Sequence, residues 1–174
     1  STLPNFSFMH RKALAPDFKF ENSHNDFSDG NLERQNISEA GESAQPITYL
    51  TGVQTDSLGL GAWLSPSRGT IPYAWETPLN DFLLAPVILE MYYSQRSQND
   101  LMIGAISGPG YTYPKAVPPE NLPTLLNIAR NITDALDISI FESMDDSEGS
   151  TVVGNPDLTQ DVVDAYFDAF PQFT

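Results

Sequence analysis

Hydrophobic and polar positions fall into two styles along this chain. From Ser1 to about Gln45 the residues are polar and rich in Asn, Ser, Asp and Glu, and only Phe6 to Met9 alternates as a short strand would. Glu21 to Gln45 holds few large apolar side chains and can bury little surface, so residues 1–45 are expected to form a surface loop or wrapping arm. From Pro46 onward the pattern becomes regular. Ile47–Thr55 is rich in β-branched and aromatic residues and predicts a strand, as does Thr70–Trp75. Leu79 to Tyr93 predicts a helix with Leu79, Phe82, Leu83, Pro86, Val87, Glu90 and Met91 along one face, capped by Asn80 or Asp81 and bent at Pro86. Leu101–Ser107 is apolar on both faces, as a central parallel strand is. Asn121 to Asp134 predicts a second helix, with Leu122, Leu125, Leu126, Ala129 and Ile132 at helical spacing and Pro123 in its first turn. Asp137–Phe141 reads as a fourth strand and Thr151–Val153 as a fifth. Leu158 to Phe170 reads as a last helix facing Val162, Val163, Tyr166, Phe167 and Phe170 inward.

Strands alternating with helices predict the α/β class, a parallel sheet with crossover helices. A complete (β/α)-barrel needs about 250 residues. Residues 46–174 are therefore expected to form an open sheet or a partial, incomplete TIM-like barrel, with another chain or a missing domain completing it. The formal charge of −15, from 23 acidic and 8 basic residues, argues against nucleic acid and anionic membranes as partners. There is no apolar run of about 18 residues, so no membrane span is expected. With no cysteine there is no disulfide and no thiolate, and no metal or cofactor is expected. Gly59-Leu60-Gly61 lacks the rest of a dinucleotide fingerprint, and Asp145 to Glu148 misses the alternating ligands of a calcium loop and reads as a solvated turn. His10 and His24 lie in the polar arm, away from any triad-like setting. The chain opens on Ser without a signal-peptide pattern, as a mature or cut product would. Sequons at Asn5, Asn36 and Asn131, with low Lys content, point to a secreted glycoprotein.

Functional side chains in parallel α/β folds gather at the carboxyl ends of the strands. Asp56 follows the first strong strand, Trp75 and Glu76 the second, Gly108 to Pro114 the third, and Glu142, Asp145, Asp146 and Glu148 the fourth. Carboxylates beside aromatic rings suit sugars, because rings stack on apolar pyranose faces and paired acids supply the proton and the base or nucleophile of glycoside cleavage. Asp56, Glu76 and Glu142 are the candidate catalytic carboxylates; Trp75, Tyr111 and Tyr113 are the candidate platforms. Tyr111 and Tyr113 alternate, so an extended chain would point them the same way.

Gly108-Pro109-Gly110-Tyr111-Thr112-Tyr113-Pro114 resembles the signature of the GxGYxYP family, a group of glycoside-hydrolase-like proteins. Gly69-Thr70-Ile71-Pro72, Ala85 to Glu90 with Tyr92-Tyr93, and Asn99-Asp100 are similar to that family's pattern, so the likeness runs from about Ile47 to Asp146. The resemblance implies a barrel-like catalytic domain, preceded by a further domain, in a secreted protein acting on glycan. The chain departs from the family after its first strong strand. There Asp56 is followed by Ser57, Leu58 and Gly59 in place of a further acid and an Asn. That departure keeps a second expectation open: a non-catalytic relative that binds glycan, or a structural or assembly subunit of an extracellular complex. An enzyme of another class on the same scaffold is a third.

Overall fold

The computed structural model describes residues 15, 17–22, 50–51, 60–147 and 157–171. Strands β1 (Leu50–Thr51), β2 (Tyr73–Pro78) and β3 (Asp100–Ala105) form a parallel sheet in the order β1-β2-β3, with Leu50 opposite Tyr73 and Tyr73 opposite Asp100. The helices are α1 (Leu60–Trp63), α2 (Asp81–Leu84), α3 (Pro86–Gln95), α4 (Leu122–Ala135) and α5 (Gln160–Ala169). The protein is thus mixed α/β with a small, open parallel sheet. β3 is buried along its whole length, as its two-faced apolar sequence requires. The expected strands at Phe6–Met9 and Thr151–Val153, and most of the arm, lie outside the described residues.

The predicted fourth strand shrinks to a bridge at Phe141. Gly104 N–H donates to the Ile140 carbonyl and Glu142 N–H to the Gly104 carbonyl, both at 2.8 Å, so the contact is parallel. A side chain explains why it does not begin earlier. Asn22 donates through Nδ2 to the Met102 carbonyl at 2.7 Å and accepts Met102 N–H on Oδ1 at 2.9 Å. Met102 and Gly104 have the same parity on β3, so the Asn22 amide occupies the edge that a longer fourth strand would use. Asp137, in the left-handed region at φ 54°, spends Oδ2 on the Asn22 N–H at 2.8 Å. Phe20 follows the same path inward, packing edge-on to Tyr93 at 5.0 Å and to Phe82 at 6.0 Å. Phe18, Phe20 and Asn22 therefore pack against the core, although they belong to the arm expected at the surface. Replacing Asn22 by Ala should strip two buried backbone groups of partners and cost about 2–3 kcal/mol, read as a lower urea midpoint.

The predicted helix over Leu79–Tyr93 is two helices. Ala85 takes φ −149° and ψ 54°, because a residue before proline is pushed out of helical geometry, and Pro86 then opens α3. The break resets the helical phase. α3 buries Leu89, Tyr92 and Tyr93, while Leu83 and Leu84 of α2 are exposed, so the single expected face does not exist. Asn80 is the N-cap of α2 but makes no side-chain cap bond. α4 buries Leu122, Leu126, Ala129, Ile132 and Thr133, close to expectation. α5 buries Val162 and Ala169, with Phe170 after its end, and leaves Phe167 64% exposed instead of inward-facing.

The sheet has two unlike faces. Trp75 and Met102 join Trp63, Leu79, Leu89, Tyr92 and the buried residues of α4 and α5 in the main core. Ala74, Leu101 and Ile103, with Ile140 against them, form a second, smaller cluster made only of residues from the sheet and its edge. At the start of β3 the buried Asp100 ties the structure together. It accepts from Trp75 Nε1 at 2.8 Å, from Ser97 N–H at 2.7 Å and from the Arg68 guanidinium, which itself lies 4.2 Å over the Trp63 ring.

Candidate functional site

The segment after β3 is built by close packing. Thr112 N–H reaches back to the Ile106 carbonyl at 3.1 Å, and Thr112 Oγ1 donates to the Gly110 carbonyl at 2.9 Å. A Cβ on Gly108 would stand 2.6 Å from Thr112 Oγ1, and one on Gly110 would stand 3.1 Å from Asn80 Nδ2. Room, not a left-handed backbone, is what this loop asks of its glycines. The residue that does adopt positive φ here is Ser107, at 65°. Gly108→Ala should cost about 1–2 kcal/mol, because the β-branched Thr112 cannot swing clear; Gly110→Ala should cost less, because the Asn80 amide can turn aside. Thermal unfolding of the two variants side by side checks the order.

Ser107 joins the strand end to the next rim segment. Its N–H donates to the Glu142 carbonyl at 3.0 Å, its Oγ donates to the Met144 carbonyl at 2.6 Å and accepts Met144 N–H at 2.8 Å, and its carbonyl accepts the Tyr166 hydroxyl. These bonds offset the backbone cost of the left-handed position. Asp145 makes a second tie. The expected solvated turn is corrected here: Asp145 has no solvent exposure. It accepts Lys115 N–H at 2.7 Å, Ser147 N–H at 2.9 Å and Ser147 Oγ at 2.6 Å, with Lys115 Nζ at 3.8 Å. Burial pushes its carboxyl up, but the bonds from Ser147 and Lys115 and the Lys115 charge outweigh it and hold the group below the usual carboxylate range.

Tyr111 and Tyr113 project together from this braced loop, as their alternation predicts. Their rings meet edge to face at 5.4 Å and their hydroxyls are 3.3 Å apart, with Tyr111 about half exposed. The hydrogen bond to Tyr111, with smaller contributions from desolvation and the nearby Asp146 and Asp145 charges, raises the Tyr113 phenol.

Two candidate carboxylates share a sheet face. Glu76 is opposite Ile103, and Glu142 continues the bridged stretch one residue past Phe141, which is opposite Gly104. Alternation puts both on the face of Ala74, Leu101 and Ile103, away from the helices. Their backbones are two strand spacings apart, about 10 Å across the sheet, and offset by about 7 Å along it. Glu76 has no solvent exposure, and Glu142 is half-buried. Trp75 points the other way. It is buried in the main core, edge-on to Trp63 at 5.0 Å, with its indole N–H on Asp100. Asp56, Glu148, Asn5 and Asn36 lie outside the described residues; Asn131 is exposed on α4, with Thr133 of its sequon buried.

One further carboxyl at this rim reads in the sequence only as a helix cap. Asp81 opens α2, next to the Asn80 that packs under Gly110. Desolvation raises its pKa from 3.8 to about 6, and among the described residues its buried Oδ2 has no hydrogen-bond partner. A buried acceptor left unpaired calls for an explanation, and a functional role is one. Among the described residues no three His, Cys, Asp or Glu side chains group as a metal site, and no helix is long and apolar enough to cross a membrane.

The family described as "GxGYxYP putative glycoside hydrolase C-terminal domain" matches residues 47–174. No curated protein and no solved structure gives a significant match.

Proposed function

We propose, from the premise that this chain belongs to the GxGYxYP glycoside-hydrolase-like family of C-terminal domains, that it is the glycan-processing part of a secreted protein. The observation that carries this reading is the pairing of Glu76 and Glu142 on one sheet face, beside a rim that holds Tyr111 and Tyr113. In this proposal that face is the interior of a (β/α)-barrel, of which the chain holds part, and strands from another domain or chain complete it. A sugar stacks on the tyrosines, whose loop is flanked by the Ser107–Met144 and Lys115–Asp145 bonds. Glu142 acts as base or nucleophile, Glu76 stabilises the developing positive charge, and Asp81, which keeps its proton to about pH 6, protonates the leaving oxygen. Asp56 is a further candidate at the same rim. Glycosylation at Asn5, Asn36 and Asn131 accompanies secretion in this reading.

The experiment is turnover of a panel of aryl glycosides and polysaccharides by the wild type, Glu76→Gln and Glu142→Gln, with circular dichroism to verify folding. Loss of about 100-fold or more in both variants supports catalysis. Turnover that both variants retain rejects the assignment. A second reading is favoured by the complete burial of Glu76: a non-catalytic, glycan-binding or assembly subunit that keeps the fold. It predicts binding on a glycan array that Tyr111→Ala weakens, with no hydrolysis by any form.

A further inference from the structure

Tyr111 and Tyr113 form a corner, and a corner selects more narrowly than a flat sugar platform would. The rings stand at 86° to one another with centroids 5.4 Å apart, so their faces look in different directions. One face suits the apolar side of a pyranose, and the other meets whatever group stands off the edge of that sugar ring. The two hydroxyls lie 3.3 Å apart and share a hydrogen bond. A phenol carries one proton and two acceptor lone pairs, so a bond between two phenols leaves the pair richer in acceptors than in donors. Tyr111 is 49% exposed, so a ligand can reach the corner.

The charge at the corner has one sign. The Tyr113 phenol is raised chiefly by the bond to Tyr111 and by desolvation, and further by the Asp146 and Asp145 charges; among the described residues no cation bears on it. Lys115, the basic residue of this loop, lies 3.8 Å from the buried Asp145, and that pair neutralises itself. Asp146 follows in sequence and is only half-buried, so its carboxylate is the charge that remains beside the tyrosines. Aromatic faces, acceptor oxygens and a carboxylate together attract an ammonium group and repel a uronate or a sulfate. We propose that this corner is a subsite for an amino sugar. The pyranose of a glucosamine-type residue lies against one tyrosine ring. Its ammonium sits at the second ring, donates to the phenol oxygens and pairs with Asp146. The proposal deepens the glycan reading and rests on it, because the tyrosines must first hold a sugar.

Titration calorimetry of the whole chain tests it, in a mildly acidic, low-salt buffer in which sugar amines are protonated. The probes are the glucosamine tetramer, its fully N-acetylated form, cellotetraose and tetragalacturonate, with spermine as an amine that lacks a sugar ring. The glucosamine tetramer is expected to bind at least tenfold tighter than the N-acetylated tetramer and cellotetraose, weakening as salt rises, with tetragalacturonate the weakest. Asp146→Asn should lower its affinity about tenfold, to the level of the neutral sugars, and leave those within about twofold. Tyr113→Ala should weaken the glucosamine tetramer and both neutral tetramers together. Equal binding of the glucosamine tetramer and cellotetraose would overturn the amino-sugar subsite and leave the glycan reading standing. Binding of no sugar would overturn both. Spermine binding as tightly as the glucosamine tetramer would sink the subsite by showing that charge alone attracts the amine. A preference that survives Asp146→Asn would sink it by placing the charge elsewhere.

Discussion

Asp100→Ala should lower stability by about 3–5 kcal/mol. The carboxylate is wholly buried and holds three donors: the Trp75 indole, the Ser97 amide and the Arg68 guanidinium. Removing it leaves a cation with no counter-charge at that end and two N–H groups without acceptors, and each orphan carries its own desolvation cost. The Arg68 side chain keeps some contact with water, which moderates its share. Asp100→Asn keeps one acceptor for Trp75 and should lose clearly less. At about 2–4 °C per kcal/mol for a chain of this size, Ala should drop Tm by about 10 °C. A shift under about 3 °C would mean that the network is not what joins β2, β3 and the Arg68 loop.

Asp81→Asn should move stability and turnover in opposite directions. Folding raises the Asp81 pKa from 3.8 to about 6, so the folded state binds this proton more tightly than the unfolded chain. Its contribution to stability is whole below about pH 4 and is lost as pH rises through about 6. Above that, the wild type holds a poorly solvated charge that the amide lacks. The variant should therefore be more stable than wild type by about 1 kcal/mol at pH 8, a figure reduced for partial solvent contact, with the gap closing towards pH 4. If Asp81 is the proton donor, the same variant loses about 10²–10⁴ in turnover, and the wild-type kcat/KM falls on the alkaline side with an apparent pKa near 6. A stabilised but inactive variant is what a strained functional group gives. A variant that is stabilised and fully active would make Asp81 a mere buried acid, and the general-acid role would pass to Glu76 or Asp56.

What could be seen in the sequence was local, and what could not was the pairing of distant polar groups. β3 shows itself because Leu101 to Ala105 is apolar at consecutive positions, and only a strand covered on both faces needs that. The loop of Tyr111 and Tyr113 is marked by its glycines and its alternation. By contrast, Asn22 and Met102 are 80 residues apart, and nothing near Asn22 distinguishes it from the other asparagines of a polar arm. The ties of Asp145 to Lys115 cross 30 residues and look, in sequence, like part of an acidic turn. Trp75 and Glu76 are adjacent and the sequence assigns both to one rim, but adjacent residues of a strand face opposite ways, and the sheet sends only Glu76 to the side shared with Glu142. The Ala85 break was hidden because Pro86 is equally at home in a bent helix and at the first turn of a new one.

The side chain that stands in for a missing neighbour of β3 also bears on how the protein should be prepared. The family match starts at residue 47, and a fragment cut to that limit would discard Asn22 and Phe20 with the rest of the arm. Met102 would then offer its amide to solvent or to a stranger's backbone, and recombinant material trimmed that way is the form most prone to clump.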